Sequence, residues 1–133
     1  MPSVYNPTKP KTSIDEVLKY AVKNALNVEK QVIVHCKYIA SAEGDLIRIW
    51  PSTFLCANDS THESELINTQ KISIYPNWTL VEGSKEFYFT LIFSGLPKSC
   101  KSFNLIEKIP EPGGFLIKNI SRNNLDVYNV EIV

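Results

Sequence analysis

The chain has 133 residues, 44% of them hydrophobic, and 14 basic against 14 acidic side chains give a formal net charge of zero. This length is typical of one domain and allows a hydrophobic core that needs neither disulfides nor metal ions. The balanced charge excludes a global positive field that would attract nucleic acid, and no run of 18 apolar residues suits a membrane span. The composition therefore predicts one globular domain whose partners include neither nucleic acid nor a membrane.

The N-terminal segment, residues 1–12, contains three prolines and polar spacers, so it is predicted to be an extended arm. The domain itself is expected to span residues 13–133. Because no apolar segment follows a basic start, the sequence shows no secretory leader. A cytoplasmic location is expected, or export if a leader has been removed.

A helical period follows the arm. The pattern i, i+3, i+4, i+7 predicts an amphipathic helix over residues 14–27, with Ser13 and Glu16 forming a capping box. Residues 17–22 also alternate, so a first edge strand is the alternative there. The apolar positions of the helical period are Ile14, Val17, Leu18, Ala21, Val22, Ala25 and Leu26.

Alternating apolar residues then predict a series of short strands separated by Pro and Gly turns. The pattern is strongest over residues 86–93, and residues 58–65 are predicted to be a polar, flexible loop. The other predicted strands cover residues 31–39, 46–50 with 53–57 as its continuation, 71–75, 78–81, 103–107, 115–120 and 126–132.

About seven strands with half-polar faces predict a mainly β fold, an Ig-like antiparallel β-sandwich with one N-terminal α-helix. A barrel is the alternative. Side chains on alternate positions of a strand share one face, and these alternations define the expected core. It comprises Val32, Val34, Ile47, Ile49, Phe87, Phe89, Leu91, Phe93, Phe103, Leu105, Phe115 and Ile117.

Residues 30–133 resemble small bacterial Ig-like β-sandwich domains of uncharacterised function. The resemblance rests on residues 47–55 (IRIWPSTFL), 89–98 (FTLIFSGLPK) and 103–107 (FNLIE), together with Gly114-Phe115 and Asn119-Ile120. It implies a fold and no catalytic residue.

No catalytic, cofactor-binding or metal-binding site is predicted. Cys36, Cys56 and Cys100 are few and widely spaced, which favours reduced thiols over a disulfide framework or a metal site. His35 and Cys36 point to opposite faces of a predicted strand, and His62 lies in a polar loop. The sequence contains no nucleophile elbow or phosphate-binding glycine loop.

Two groups of side chains are the candidate partner-binding residues. Trp78 and Tyr75 follow each other closely around Pro76 and offer aromatic area for a sugar ring or for a partner's apolar side chain. Lys98, Lys101 and Arg122 lie in basic loops, near the expected terminal edge strand over residues 127–132.

These features predict a non-catalytic protein-interaction or structural module with a protein partner or a homodimer. The first alternative is a carbohydrate-binding module that uses the exposed aromatic residues. The second is a small enzyme with an unrecognised site, which a deep cleft lined by a histidine and a buried carboxylate would favour.

Overall fold

The fold is described by a computed structural model of residues 30–132, which contain nine β-strands. Their apolar residues alternate with polar ones, as expected of strands with one buried face. The strands are β1 Val32–Ile39, β2 Asp45–Ile47, β3 Thr53–Ala57, β4 Glu63–Gln70, β5 Thr79–Val81, β6 Glu86–Phe93, β7 Ser102–Glu107, β8 Leu116–Ser121 and β9 Val127–Ile132.

Seven of these strands form one sheet in the order β8-β7-β3-β4-β6-β1-β9, and β2 pairs with β5 in a separate two-stranded sheet. Every pairing is antiparallel except that of β1 with β9, which is parallel. The prediction of a mainly β fold is confirmed, whereas the expectation of purely antiparallel pairing fails at this one pair.

Strand β4 joins the two halves of the large sheet. Its first residues pair with β3, and from Leu66 onward it pairs with β6 across a register shift between Leu66 and Asn68. The sheet bends far enough for its distant strands to meet, because the ring of Phe103 in β7 lies 5.0 Å from that of Tyr128 in β9, edge to face. The core fills the space enclosed by this bend.

The predicted core is confirmed. All twelve residues belong to one hydrophobic cluster, eight of them buried and four partly buried. The face of β6 that carries Phe89, Leu91 and Phe93 is buried, as its alternation predicts. The four partly buried residues are Ile47, Phe87, Phe115 and Ile117.

Four local predictions need correction. Residues 58–65 are not one loop, because β4 begins at Glu63; its side chains are largely polar, and backbone pairing with β3 and β6 forms it. The strand predicted over residues 46–50 ends at Ile47, and residues 53–57 form the separate strand β3. Residues 71–75 contribute only a bridge, between Ile74 and Ile49. The described strands therefore number nine rather than seven.

The predicted arm over residues 1–12, the helix over 14–27 and its alternative edge strand over 17–22 lie outside the described residues. Within residues 30–132 we find no helix, and hence none long and apolar enough to cross a membrane.

Candidate binding site

Arg48 lies among three aromatic rings on one side of the molecule. Its guanidinium carbon is 3.6 Å from the ring centroid of Trp78, 4.5 Å from that of Tyr75 and 5.7 Å from that of Trp50. The rings of Trp50 and Tyr75 stack at 3.9 Å. A cation over aromatic faces is attracted by the ring quadrupole, so this arrangement fixes all four side chains.

The chain around β2 and β5 explains how these residues meet. Alternation beyond β2 places Arg48 and Trp50 on the same side, and the Ile49–Ile74 bridge brings Tyr75 alongside them. Arg48 Nη1 donates a hydrogen bond to the carbonyl of Pro76 at 3.2 Å, which holds the segment before β5. The structure therefore brings the predicted residues Tyr75 and Trp78 together, around an arginine that the sequence did not single out.

A cavity of about 300 Å³ opens beside this cluster. Its lining is mainly apolar and aromatic, with Arg48, Glu107 and Glu111 as its charged members. Gly114 lets the loop over residues 110–114 approach β7, because a Cβ atom there would lie 2.5 Å from the Glu107 carbonyl oxygen. The volume is at the lower end of the range for small-molecule sites, and it suits a group the size of one side chain.

Glu107 is the buried carboxylate of this cavity, and only 8% of its surface is exposed. It follows Phe103 and Leu105 on the inward face of β7, so strand alternation alone places a carboxylate there. Its Oε2 accepts a hydrogen bond from the Trp50 amide at 3.1 Å. Burial raises the pKa of Glu107 above its ordinary value, against the opposing effect of the Trp50 and Phe115 amides and of Arg48.

We expect the Glu107→Gln variant to gain stability relative to the wild type as the pH rises. A carboxyl group whose pKa is raised on folding contributes its full stability below its unfolded pKa, near 4.5, and loses it as pH rises through the folded value. Urea unfolding at pH 4 and at pH 8 measures this. A difference between variant and wild type that is equal at the two pH values would contradict the prediction.

Exposed leucines extend the apolar surface outward from the cavity. Leu46 lines the cavity and pairs directly with Leu80 across the two-stranded sheet. Leu46 is 57% exposed, Leu80 69% and Trp78 51%. Side chains directly opposite each other in an antiparallel pair are in contact range, so these residues form one apolar patch at the cavity mouth. We call Leu46, Leu80 and Trp78 the apolar patch.

The predicted partner residue Arg122 lies in a different place and is largely buried. Its Nε and Nη2 form a bidentate ion pair with Asp126, at 2.6 and 3.0 Å. Nη1 donates to the carbonyl oxygens of Pro97 and Cys100. These bonds join the β6–β7 and β8–β9 loops, which gives Arg122 an internal structural role.

Lys98 and Lys101, which were predicted to form one basic group with Arg122, lie close to it. Lys98 and Arg122 line a second hollow of about 280 Å³, and the Arg122 amide donates to the Lys101 carbonyl at 2.9 Å. Another lysine in this part of the sequence, Lys108, pairs with Glu63 at 2.6 Å. A partner contact through Lys98 and Lys101 stays a prediction.

The histidines and cysteines do not gather at the cavity. His62 lies within hydrogen-bonding distance of Ser64 and the Gly95 carbonyl, and His35 of Thr90. The three cysteines are free, and burial raises the pKa of Cys36 to about 12. Across residues 30–132 there is no group of three His, Cys, Asp or Glu side chains placed to hold a metal ion.

Comparison with known proteins finds no family model, no curated protein and no solved structure that matches this chain. The functional argument therefore depends on the residues and distances described above.

Proposed function

We propose that the chain is a non-catalytic binding module, and that its recognition surface is the apolar patch together with the cavity beside it. The observation that supports this proposal is the pair of exposed leucines, Leu46 and Leu80, next to the half-exposed Trp78 at the cavity mouth. Apolar area left in water costs about 25 cal/mol per Å². An exposed apolar patch with a polar rim is typical of an interaction surface.

The patch favours a protein partner over a carbohydrate. Aliphatic side chains such as Leu46 and Leu80 offer no flat face for a sugar ring, and the two candidate rings are already partly covered. Arg48 lies over Trp78, and Trp50 stacks on Tyr75, so each ring keeps at most one free face. Carbohydrate binding through Tyr75 and Trp78 is the second candidate, supported by the exposure of both rings.

The cavity chemistry is also more suited to binding than to catalysis. Its charged groups are one arginine and two carboxylates, and neither histidine belongs to its lining. A buried carboxylate with a raised pKa can act as a general acid or base, but a second group poised against it would be needed.

The strand order supports an Ig-like sandwich as the scaffold of this module. In Ig domains, strands B, E and D are neighbours in one sheet, and C, F and G are neighbours in the other. Here β1-β6-β4 follows the first order and β3-β7-β8 the second, with β9 beside β1 where strand A of an Ig domain lies. The bulge in β4 suits a strand that passes between two sheets.

Peptide selection from a random phage-displayed library tests the binding function. We expect selected peptides to bind the wild type and to lose about tenfold or more in affinity for the double variant Leu46→Ser/Leu80→Ser, because hot-spot side chains contribute at least 1 kcal/mol. Fluorescence polarisation with synthetic peptides measures the change.

The control is Leu125→Ser, which removes an exposed leucine in the β8–β9 loop and should leave the affinity unchanged. A glycan array run with the same protein distinguishes the second candidate. Glycan binding that disappears in Trp78→Ala, without any peptide binding, would replace the protein partner by a carbohydrate. Sedimentation of the wild type identifies a homodimer, which should dissociate in the double variant if the patch forms it.

A further inference from the structure

Among residues 30–132, Glu107 is a buried carboxylate without a close cation. Within residues 30–132, no lysine or arginine nitrogen lies within 4.0 Å of its carboxylate oxygens. Arg48 lowers the pKa of Glu107 only from a longer distance, and it approaches Glu111 instead, at 3.9 Å. A buried charge normally has a partner, because removing it from water costs several kcal/mol. Glu107, which has no charged partner within the described part of the chain, faces a cavity open to solvent, so a ligand can supply the missing charge.

We infer that the cavity receives the side chain of a lysine from a partner polypeptide, with its ammonium group pairing with the Glu107 carboxylate. This inference rests on the proposed binding function and specifies the group that the cavity takes. The chemistry is an ion pair of a cationic head and a buried anion, with apolar walls around the stem of the ligand.

The acceptor capacity that remains on the Glu107 carboxylate favours an ammonium group over a guanidinium group. The Trp50 amide already donates to Oε2, and the Phe115 amide also stabilises the charged carboxylate, so the two oxygens are not both free for a two-pronged donor. A guanidinium group prefers to bind both carboxylate oxygens at once, whereas an ammonium group is a compact charge that is satisfied by one. The four-carbon stem of lysine can pack along apolar walls while its head reaches the cavity floor.

The charges of the cavity also favour a cation over an anion. Two carboxylates, Glu107 and Glu111, line it against one arginine. Arg48 lies over Trp78, donates to the Pro76 carbonyl and approaches Glu111, so these groups partly compensate its charge. Glu111 also lines the cavity, just over half of its side chain is exposed, and its charge adds attraction for an arriving cation.

The walls complement a hydrocarbon stem. Apolar side chains from several elements surround the carboxylate, and the apolar patch lies at the mouth, where residues flanking the lysine would make contact. The apolar residues of the wall include Ile49, Ile72, Phe89, Ile109 and Phe115.

The test uses the isotopically labelled full chain and n-butylammonium chloride, a mimic of the lysine side chain. We expect saturable chemical-shift changes at the Trp50 amide, which donates to Glu107, and at the neighbouring Phe115 amide. 1-Butanol, a neutral molecule of the same length and shape, and potassium chloride at equal ionic strength serve as ligand controls. Glu107→Gln should weaken butylammonium binding by about tenfold or more, the loss expected for one charge-assisted bond.

Glu86→Gln is the matched protein control, because Glu86 is an exposed carboxylate that pairs with Lys37 on another surface. It should bind butylammonium as the wild type does. Equal shifts with 1-butanol, no saturable shift with butylammonium, or undiminished binding to a folded Glu107→Gln variant would each overturn the inference. The fold of that variant is checked in the same spectra.

The peptides selected above separate this inference from the proposed function. Replacing their lysines one at a time by norleucine should lower the affinity about tenfold at one position, and only when Glu107 is present. If the peptides need Leu46 and Leu80 but tolerate every norleucine, the binding function holds and the lysine site is wrong. If butylammonium binds through Glu107 and no peptide is selected, the cation site holds and the protein-binding function is wrong.

Discussion

Replacing Asp126 with asparagine should lower the free energy of unfolding by about 3 kcal/mol, because it leaves the Arg122 charge buried without its partner. The side chains of Asp126 and Arg122 are only 5% and 17% exposed, and two hydrogen bonds join them. Asparagine preserves the shape of the side chain and tolerates the left-handed backbone of residue 126, at φ 55°. The variant therefore isolates the loss of charge, which urea unfolding at pH 7 measures.

Lys37→Met provides the control for an exposed ion pair. Lys37 and Glu86 are solvent-accessible, and a pair of this kind contributes little to stability because solvent screens it. A loss in Asp126→Asn no greater than in Lys37→Met would contradict the structural role of Arg122. It would return Arg122 to the set of free partner-binding side chains.

The same pair has a defined dependence on pH. Burial by itself raises the pKa of Asp126, but the hydrogen bonds from Arg122 and Tyr128 outweigh it and hold the pKa below its ordinary value of 3.8. A group with a lowered pKa contributes its stability above the unfolded pKa and loses it as pH falls through the folded one. The difference between wild type and Asp126→Asn should therefore shrink below about pH 3.8.

Replacing Phe103 with alanine should destabilise the fold by about 3–5 kcal/mol, the usual cost of removing a buried aromatic side chain. Phe103 is fully buried and packs edge to face against Tyr128, at the place where distant strands of the sheet meet. The change leaves a cavity where the Phe103 ring now packs against Tyr128. Thermal and urea unfolding measure the loss.

Tyr88→Ala is the matched aromatic control, because Tyr88 lies exposed on the outer face of β6. It should change stability by about 0.5 kcal/mol or less. Where Phe103→Ala does not fold, Phe103→Leu gives a smaller loss that remains measurable. A Phe103→Leu variant as stable as the wild type would show that this contact does not hold the two halves together.

The strands with a clear alternation were predictable, and β4 was not. In β6, Phe89, Leu91 and Phe93 are large and apolar, so the period of two is visible in the sequence and the buried face follows from it. Strand β4 has few apolar residues, and it is stabilised by backbone bonds to β3 and β6, which come from other parts of the chain. Hydrogen bonds to distant strands leave no periodic pattern in the local sequence, so they could not be used to predict β4.

The candidate site was predictable only in part. Tyr75 and Trp78 were recognised as aromatic residues close to a turn, but the arginine between them depends on a bridge from Ile49 to Ile74. The burial of Glu107 could have been predicted, because the alternation of β7 places this carboxylate on the same inward face as Phe103 and Leu105. Arg122 was predicted to be a charged loop residue available to a partner. Its burial against Asp126 depends on how the loops fold in three dimensions and has no local pattern in the sequence.

The sequence by itself determined that this protein is mainly β, which residues form its core, and where most of its strands lie. These properties follow from the period of apolar side chains, which is local to each strand. Only the tertiary structure decided that β9 runs parallel to β1 and that β4 joins two halves of one sheet. It also decided that Glu107 shares a cavity with Arg48 and Trp78 and that, among residues 30–132, no cation lies within 4.0 Å of its carboxylate. Each of these depends on which distant segments meet, and the free energy of that choice comes from packing and backbone pairing across the whole domain.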